Sequence, residues 1–176
     1  MTHDNTTDRE FIPLNIAVLT VSDSRTEETD KSGPVLVDRL QGAGHRLAEK
    51  AIEPDDVYRL RATVSRWIAD PQVQVVITTG GTGITGRDGT PEAILPLLDK
   101  VIEGFGEMFR TLSFADIGTS TLQSRALAGV ANRTYLFCLP GSSGACADGW
   151  DKLIVHQLDY RTKPCNLVEL LPRLDE

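Results

Sequence analysis

The sequence predicts an α/β domain, a three-layer α/β/α sandwich built on a mostly parallel sheet. Three observations lead there. Apolar runs of strand length recur as "LNIAVLTV" (14–21), "VQVVITT" (73–79) and "TYLFCL" (134–139), each suited to a strand buried on both faces. Each run ends in a polar or glycine-rich loop. Each loop then gives way to a helix signal.

The elements follow in order. "MTHDNTTDRE" is polar and acidic, lacks the basic start and apolar stretch of a signal peptide, and reads as part of a mobile tail over residues 1–12. Residues 13–176 are long enough for one domain with a full core. After the first strand and the loop "SDSRTEETDKSG", a helix is expected from Pro34, with Leu36, Leu40 and Ala43 inward and Gly42 and Gly44 ending it. "HRLAEKAI" is a second strand. Pro54, Asp55 and Asp56 open a second helix that carries Val57, Leu60, Val64, Trp67 and Ile68 on one stripe and closes at Asp70-Pro71. The third strand, "VQVVITT", leads into the glycine loop, and a helix starts at Thr90-Pro91. Residues 101–133 mix short strand and helix. "TYLFCL" runs into "PGSSGA" and a helix with Ala147, Trp150, Ile154 and Leu158. "NLVELLPRL" carries an Asn166…Glu169 capping box.

A formal net charge of −7 argues against nucleic acid or an anionic membrane surface as the main partner, and no apolar run is long enough to cross a bilayer. Cys138, Cys146 and Cys165 form an odd set without C-x-x-C spacing, which suits reduced, mostly buried thiols of a cytoplasmic protein. His3, His45 and His156 are too scattered for a zinc site.

The stretch most informative about function is "VVITTGGTGITGRDGTPEA" (75–93). "GTGITG" fits the dinucleotide pattern, but the helix signal comes four residues after Gly86 and no acid stands where a ribose would need it. A Walker A loop would continue with Lys and Ser or Thr, where this chain has Arg87 and Asp88. The serine elbow fails at "GSSGA", because Ala145 stands two residues after Ser143. What remains is a loop whose glycines, Gly80, Gly81 and Gly83, admit a close ligand, and whose Thr79 and Thr82 add hydroxyls. Asp88 stands at the loop's end, where a carboxylate can hold a magnesium ion bridging phosphates; the alternative is that the glycines only make a turn and Asp88 is a solvated loop acid. In open α/β sheets the ligand crevice lies outside the carboxyl ends of the strands. The loops "TVSDSR", "IEPDD", "TTGGTGITGRDGT" and "LPGSSGA" are therefore expected on one rim.

Taken together, "TTGGTG…RDGTPEA", "EGFGEMFR", "SFADIGTSTLQSRALAG" and "LPGSSGA" resemble the MoaB/MogA molybdopterin-binding family, from "NIAVLTVSDSR" to "TKPCNL". The resemblance implies a three-layer α/β/α fold that assembles into homotrimers or homohexamers and works with other molybdenum cofactor biosynthesis proteins. It implies molybdopterin as substrate and, in the adenylyltransferase branch, ATP as co-substrate with Mg²⁺. The family's catalytic, metal-holding acids fall on Asp55 and Asp88. The ligand-binding positions fall on Ser22, Asp23, Thr79, Gly80, Gly81, Thr82, Gly83, Gly141, Ser142 and Ser143. For Asp55 helix capping is the alternative, and for Ser22 and Asp23 a turn after the strand. Arg87 and Arg125 are candidates for phosphate or subunit contacts; Phe105, Phe109, Trp67 and Trp150 read as core or subunit-contact residues. The second functional reading is a protein that binds molybdopterin without transferring adenylate.

Overall fold

The computed structural model describes residues 8–176, so the start of the expected tail, residues 1–7, lies outside it. Six strands form one sheet in the order β2-β1-β3-β6-β5-β4. These are β1 (Asn15–Val21), β2 (Arg46–Glu53), β3 (Val75–Thr79), β4 (Lys100–Val101), β5 (Leu127–Ala131) and β6 (Thr134–Leu139). The pairs β1–β2, β1–β3 and β3–β6 are parallel; β5–β6 and β4–β5 are antiparallel. The expected mostly parallel sheet is therefore present, with an antiparallel extension at one edge.

Alternation along the strands makes the three layers. Ile16 and Val18 of β1, Val75 and Ile77 of β3, and Tyr135, Phe137 and Leu139 of β6 face one core. Ala17, Leu19 and Val21, Val76, and Leu136 and Cys138 face the other. On the first face lie α1 (Ser32–Gly42), α4 (Glu103–Ile117) and the helical run from α5 (Ser143–Gly149) to α6 (Val155–Gln157). On the second lie α2 (Val57–Ala69) and α3 (Thr90–Ile94), through Leu60, Val64, Trp67, Ala93 and Ile94. A short α7 (Leu167–Leu170) closes the first face with Val168.

Local chemistry moves several expected boundaries. α1 begins at Ser32, two residues before Pro34, because the buried Asp30 carboxylate accepts from the Gly33 N–H at 3.1 Å. Between α5 and α6 the chain makes a π-helical turn, Trp150–Ile154, which keeps Trp150, Ile154 and Leu158 all inward at successive spacings of four. Asn166 caps Glu169 N at 2.9 Å, but the Glu169 carboxylate pairs with Arg9 at 3.1 Å instead of completing the box. Arg9 also donates to Tyr160 O, and Phe11 packs on His45, so this part of residues 8–12 lies against the body. Cys138 and Cys146 are buried as expected; Cys165 is exposed.

His45 gives the fold a measurable pH response. It is buried between Phe11 and Trp150, its Nδ1 accepts from the Leu14 N–H at 3.1 Å, and its Nε2 has no partner. Burial pushes its pKa down to about 4, opposed by the Asp159 charge. The folded value lies below the unfolded one, so stability is full above pH 6.5 and is lost as pH falls toward 4, by on the order of 3 kcal/mol. Thermal unfolding across that window should show this loss, and the His45→Gln protein should show a flatter profile. An unchanged slope would assign the response to other groups.

Candidate functional site

The parallel strands bring four loops to one edge, as their order along the sheet requires. They follow β1 at Ser22, β2 at Pro54, β3 at Gly80 and β6 at Pro140. The chain passes from β2 across β1 to β3, so the connections from β1 and β3 leave on opposite faces and a crevice opens between them. A cleft of about 460 Å³ lies at this edge. One wall is Gly80–Gly83 with Asp88, Gly141 and Ser142; the other is Phe109, Ser113 and Ile117 of α4 and the 3-10 stretch after it. Its size suits a small organic ligand.

The glycines are required by the backbone. Gly80 sits at φ +105°, and a Cβ there would collide with Val21 O. Gly81 sits at φ +71°, where a Cβ would strike Thr90 Oγ1 and lie 2.6 Å from Asp55 Oδ2. The loop is tied at both ends: Gly80 N donates to Leu139 O at 3.0 Å, Thr90 Oγ1 donates to Gly80 O at 2.8 Å, and Thr90 N donates to Gly81 O at 3.0 Å. Arg125 clamps the middle. Its Nε donates to Gly83 O at 2.8 Å and its Nη2 to Asp88 O at 3.0 Å, while Glu92 neutralises the guanidinium.

The adjacent acids Asp55 and Asp56 divide two tasks. Asp56 caps α2 by accepting from Tyr58 N and Arg59 N. Asp55 turns to the glycine loop, where Oδ1 accepts from Gly89 N at 3.0 Å. Burial, then the Asp88 and Asp23 charges, raise the Asp55 pKa, against the Gly89 N–H and the Arg87 charge. Asp88 is shifted the other way, chiefly by the Thr85 hydroxyl, which donates to Oδ2 at 2.6 Å. Asp23 is held low first by Arg87, which it meets through two hydrogen bonds, and then by the Asp55 N–H at 3.0 Å.

The structure thus brings Asp23 and Asp88 within electrostatic reach of Asp55. Among the described residues no three His, Cys, Asp or Glu side chains already converge as a metal site. Like charges gathered beside Asp55 are a setting that a divalent cation would relieve, so Asp55 and Asp88 fit as its protein ligands.

The other expected positions divide by environment. Gly80, Gly81, Thr82, Gly83, Gly141 and Ser142 line the cleft. Ser142 also caps α5 through Ala145 N, and Ser143 is the first residue of that helix. The Thr79 hydroxyl donates to Pro140 O at 3.0 Å and joins two loops. Ser22 Oγ accepts from Ser24 N and Arg25 N, the turn that the sequence left open. Ser22 and Thr79 border a separate cavity of about 90 Å³. Gln123 and Ser124, absent from the expected set, line the large cleft, as does the inner helix residue Phe109. The one signal for Gln123 and Ser124 was the motif "SFADIGTSTLQSRALAG", and for Phe109 the motif "EGFGEMFR", since periodicity is ambiguous there.

Comparison with known proteins identifies the family and the fold. Residues 17–160 match the family described as "Probable molybdopterin binding domain". Molybdenum cofactor biosynthesis protein B of Escherichia coli K12 is 59% identical over 157 residues, covering 89% of this chain and 92% of the relative. The protein of that name from Bacillus subtilis 168 is 48% identical over 144 residues, covering 81% and 85%. A crystal structure of a molybdenum cofactor biosynthesis protein B superposes with a TM-score of 0.83 at 44% identity, over 85% of this chain and 94% of that one. The tungsten cofactor synthesizing protein MoaB from Pyrococcus furiosus gives 0.77 at 33% identity, over 93% and 98%.

Proposed function

The chain belongs to the MoaB family of molybdenum cofactor biosynthesis proteins, with their molybdopterin-binding domain, and from that premise we propose that it adenylates molybdopterin with Mg-ATP. The observation that carries the reading is that Asp55 and Asp88, 33 positions apart in the chain, both stand against the glycine loop, Asp55 through Gly89 N at 3.0 Å and Asp88 in the wall of the cleft. In this reaction a phosphate oxygen of molybdopterin bonds to the α-phosphorus of ATP, the α–β bridge breaks, and pyrophosphate leaves. Such transfer needs positioning and charge neutralisation more than covalent help.

The chain supplies both. The backbone of Gly80–Gly83 borders the cleft, with Gly141 packed beside Gly80, Ser142 next to it, and the α4 side chains on the other wall. Asp88, kept ionised by the Thr85 hydroxyl and N–H, and Asp55, anchored on Gly89 N, would hold the magnesium ion. When bound, that ion would neutralise phosphate charge. Purified protein with ATP, Mg²⁺ and molybdopterin should release pyrophosphate. No release under conditions where an authentic adenylyltransferase works would leave the second reading, molybdopterin binding without transfer. That reading is favoured by the engagement of both carboxylates with the loop itself.

The proposal includes a homo-oligomer, trimeric or hexameric. Phe105 and Phe109 of "GFGEMF" are buried, but Met108, Phe114, Ile117 and Leu122 stand exposed on α4 and the stretch after it. Apolar side chains gathered in this way support a subunit contact. Light scattering at micromolar concentration should give a multiple of the chain mass; a monomer would remove this part of the reading.

A further inference from the structure

Arg87 stands beside the acids in an arrangement that has consequences of its own. Its Nε donates to Asp23 Oδ2 at 2.9 Å and its Nη2 to Asp23 Oδ1 at 2.7 Å. The same Oδ1 accepts from the Asp55 backbone N–H at 3.0 Å. One carboxylate therefore ties the loop after β1 to the loop after β2 and to the glycine loop after β3. Among the described residues, Asp23 is the one hydrogen-bond partner of the Arg87 side chain. That side chain is 67% exposed, so nothing packs it in place beyond this two-pronged contact. Its neighbour in the chain is Asp88, and its charge is felt at Asp55.

We propose that Arg87 is an internal counter-ion of this acidic rim, standing in for the divalent cation and giving way to it when the metal binds. The proposal rests on the reading that Asp55 and Asp88 hold magnesium. A dication held by those carboxylates meets the positive charge fixed on Asp23, whose carboxylate also holds the Asp55 backbone N–H, and the two compete for the same negative field. Asp23 keeps the rim in register through its bond to the Asp55 N–H whether or not the guanidinium stays. The released fork of donors is suited to phosphate oxygens, which the nucleotide would bring with the metal.

Mn²⁺ titration of the 176-residue chain without nucleotide, followed by the paramagnetic resonance of the free ion, tests this directly. The Arg87→Gln protein should bind Mn²⁺ about tenfold more tightly than the wild type, because one unit of positive charge is removed from the residue next to Asp88. The Arg87→Lys protein keeps the charge and should stay within about twofold of the wild type. Equal or weaker binding by Arg87→Gln would overturn the counter-ion role and leave the metal assignment standing. Absence of saturable binding in all three proteins, both without nucleotide and with a non-hydrolysable ATP analogue, would overturn both. A purely structural role for Arg87 would lower affinity or leave it unchanged, never raise it.

Discussion

The Asp88→Asn protein is expected to release pyrophosphate at least about a hundredfold more slowly than the wild type, the scale of losing one preorganised charge at a reacting phosphate. The side-chain shape is unchanged, and an asparagine oxygen can still accept from Thr85 N and Oγ1, which now donate to Asp88 Oδ2 at 2.9 and 2.6 Å. Arg125 still grips the backbone oxygen of residue 88. The fold and the loop should therefore survive, and the loss should fall on turnover. Steady-state kinetics beside a thermal unfolding curve separates the two. Near-normal turnover would remove Asp88 from the metal-holding role. A carrier protein would show no turnover for the substitution to reduce, with molybdopterin affinity retained.

A comparably large effect, on stability, is expected from Gly80→Ala. The backbone at residue 80 is bonded on both sides, to Leu139 O and to Thr90 Oγ1, so it cannot rotate away from φ +105° without breaking one of them. A methyl group there meets Val21 O, a main-chain atom of a central strand. Strain of this kind costs about 2–4 kcal/mol. Gly86 belongs to the same loop, but an added Cβ there meets no atom within 4 Å. Gly86→Ala should therefore change stability by no more than about 0.5 kcal/mol. Chemical denaturation of the pair makes the comparison, and equal stabilities would contradict the geometry of the loop.

The sheet was legible in the sequence because β1, β3 and β6 are buried on both faces, and such strands read as unbroken apolar runs. The rim was legible for the same reason: once parallel strands are recognised, their carboxyl ends share an edge. The region 101–133 was less so. Phe105 and Phe109 are buried while Met108 and Phe114 are exposed on the same helix, so the apolar pattern carries no clean period. The π-helical turn at Trp150–Ile154 leaves no local signature, since it is set by packing against the sheet. The neighbours Asp55 and Asp56 have the same side chain, and only tertiary structure assigns one to the helix end and the other to the loop. Arg125 was expected at a phosphate or subunit contact, and its role as the clamp of the loop escaped for a related reason: its four side-chain bonds reach residues 33 to 42 positions away, which no local pattern encodes.

The two sides of the cleft differ in what they are made of. The glycine side is main chain, wedged against Val21, Leu139 and Thr90, so alteration there disturbs the scaffold itself. The opposite side presents replaceable groups such as Ser113, Ile117, Ser120 and Gln123, borne on a segment outside the parallel strands. Descent with modification can thus retune which molecule is welcomed by exchanging those groups, while the machinery facing them stays intact.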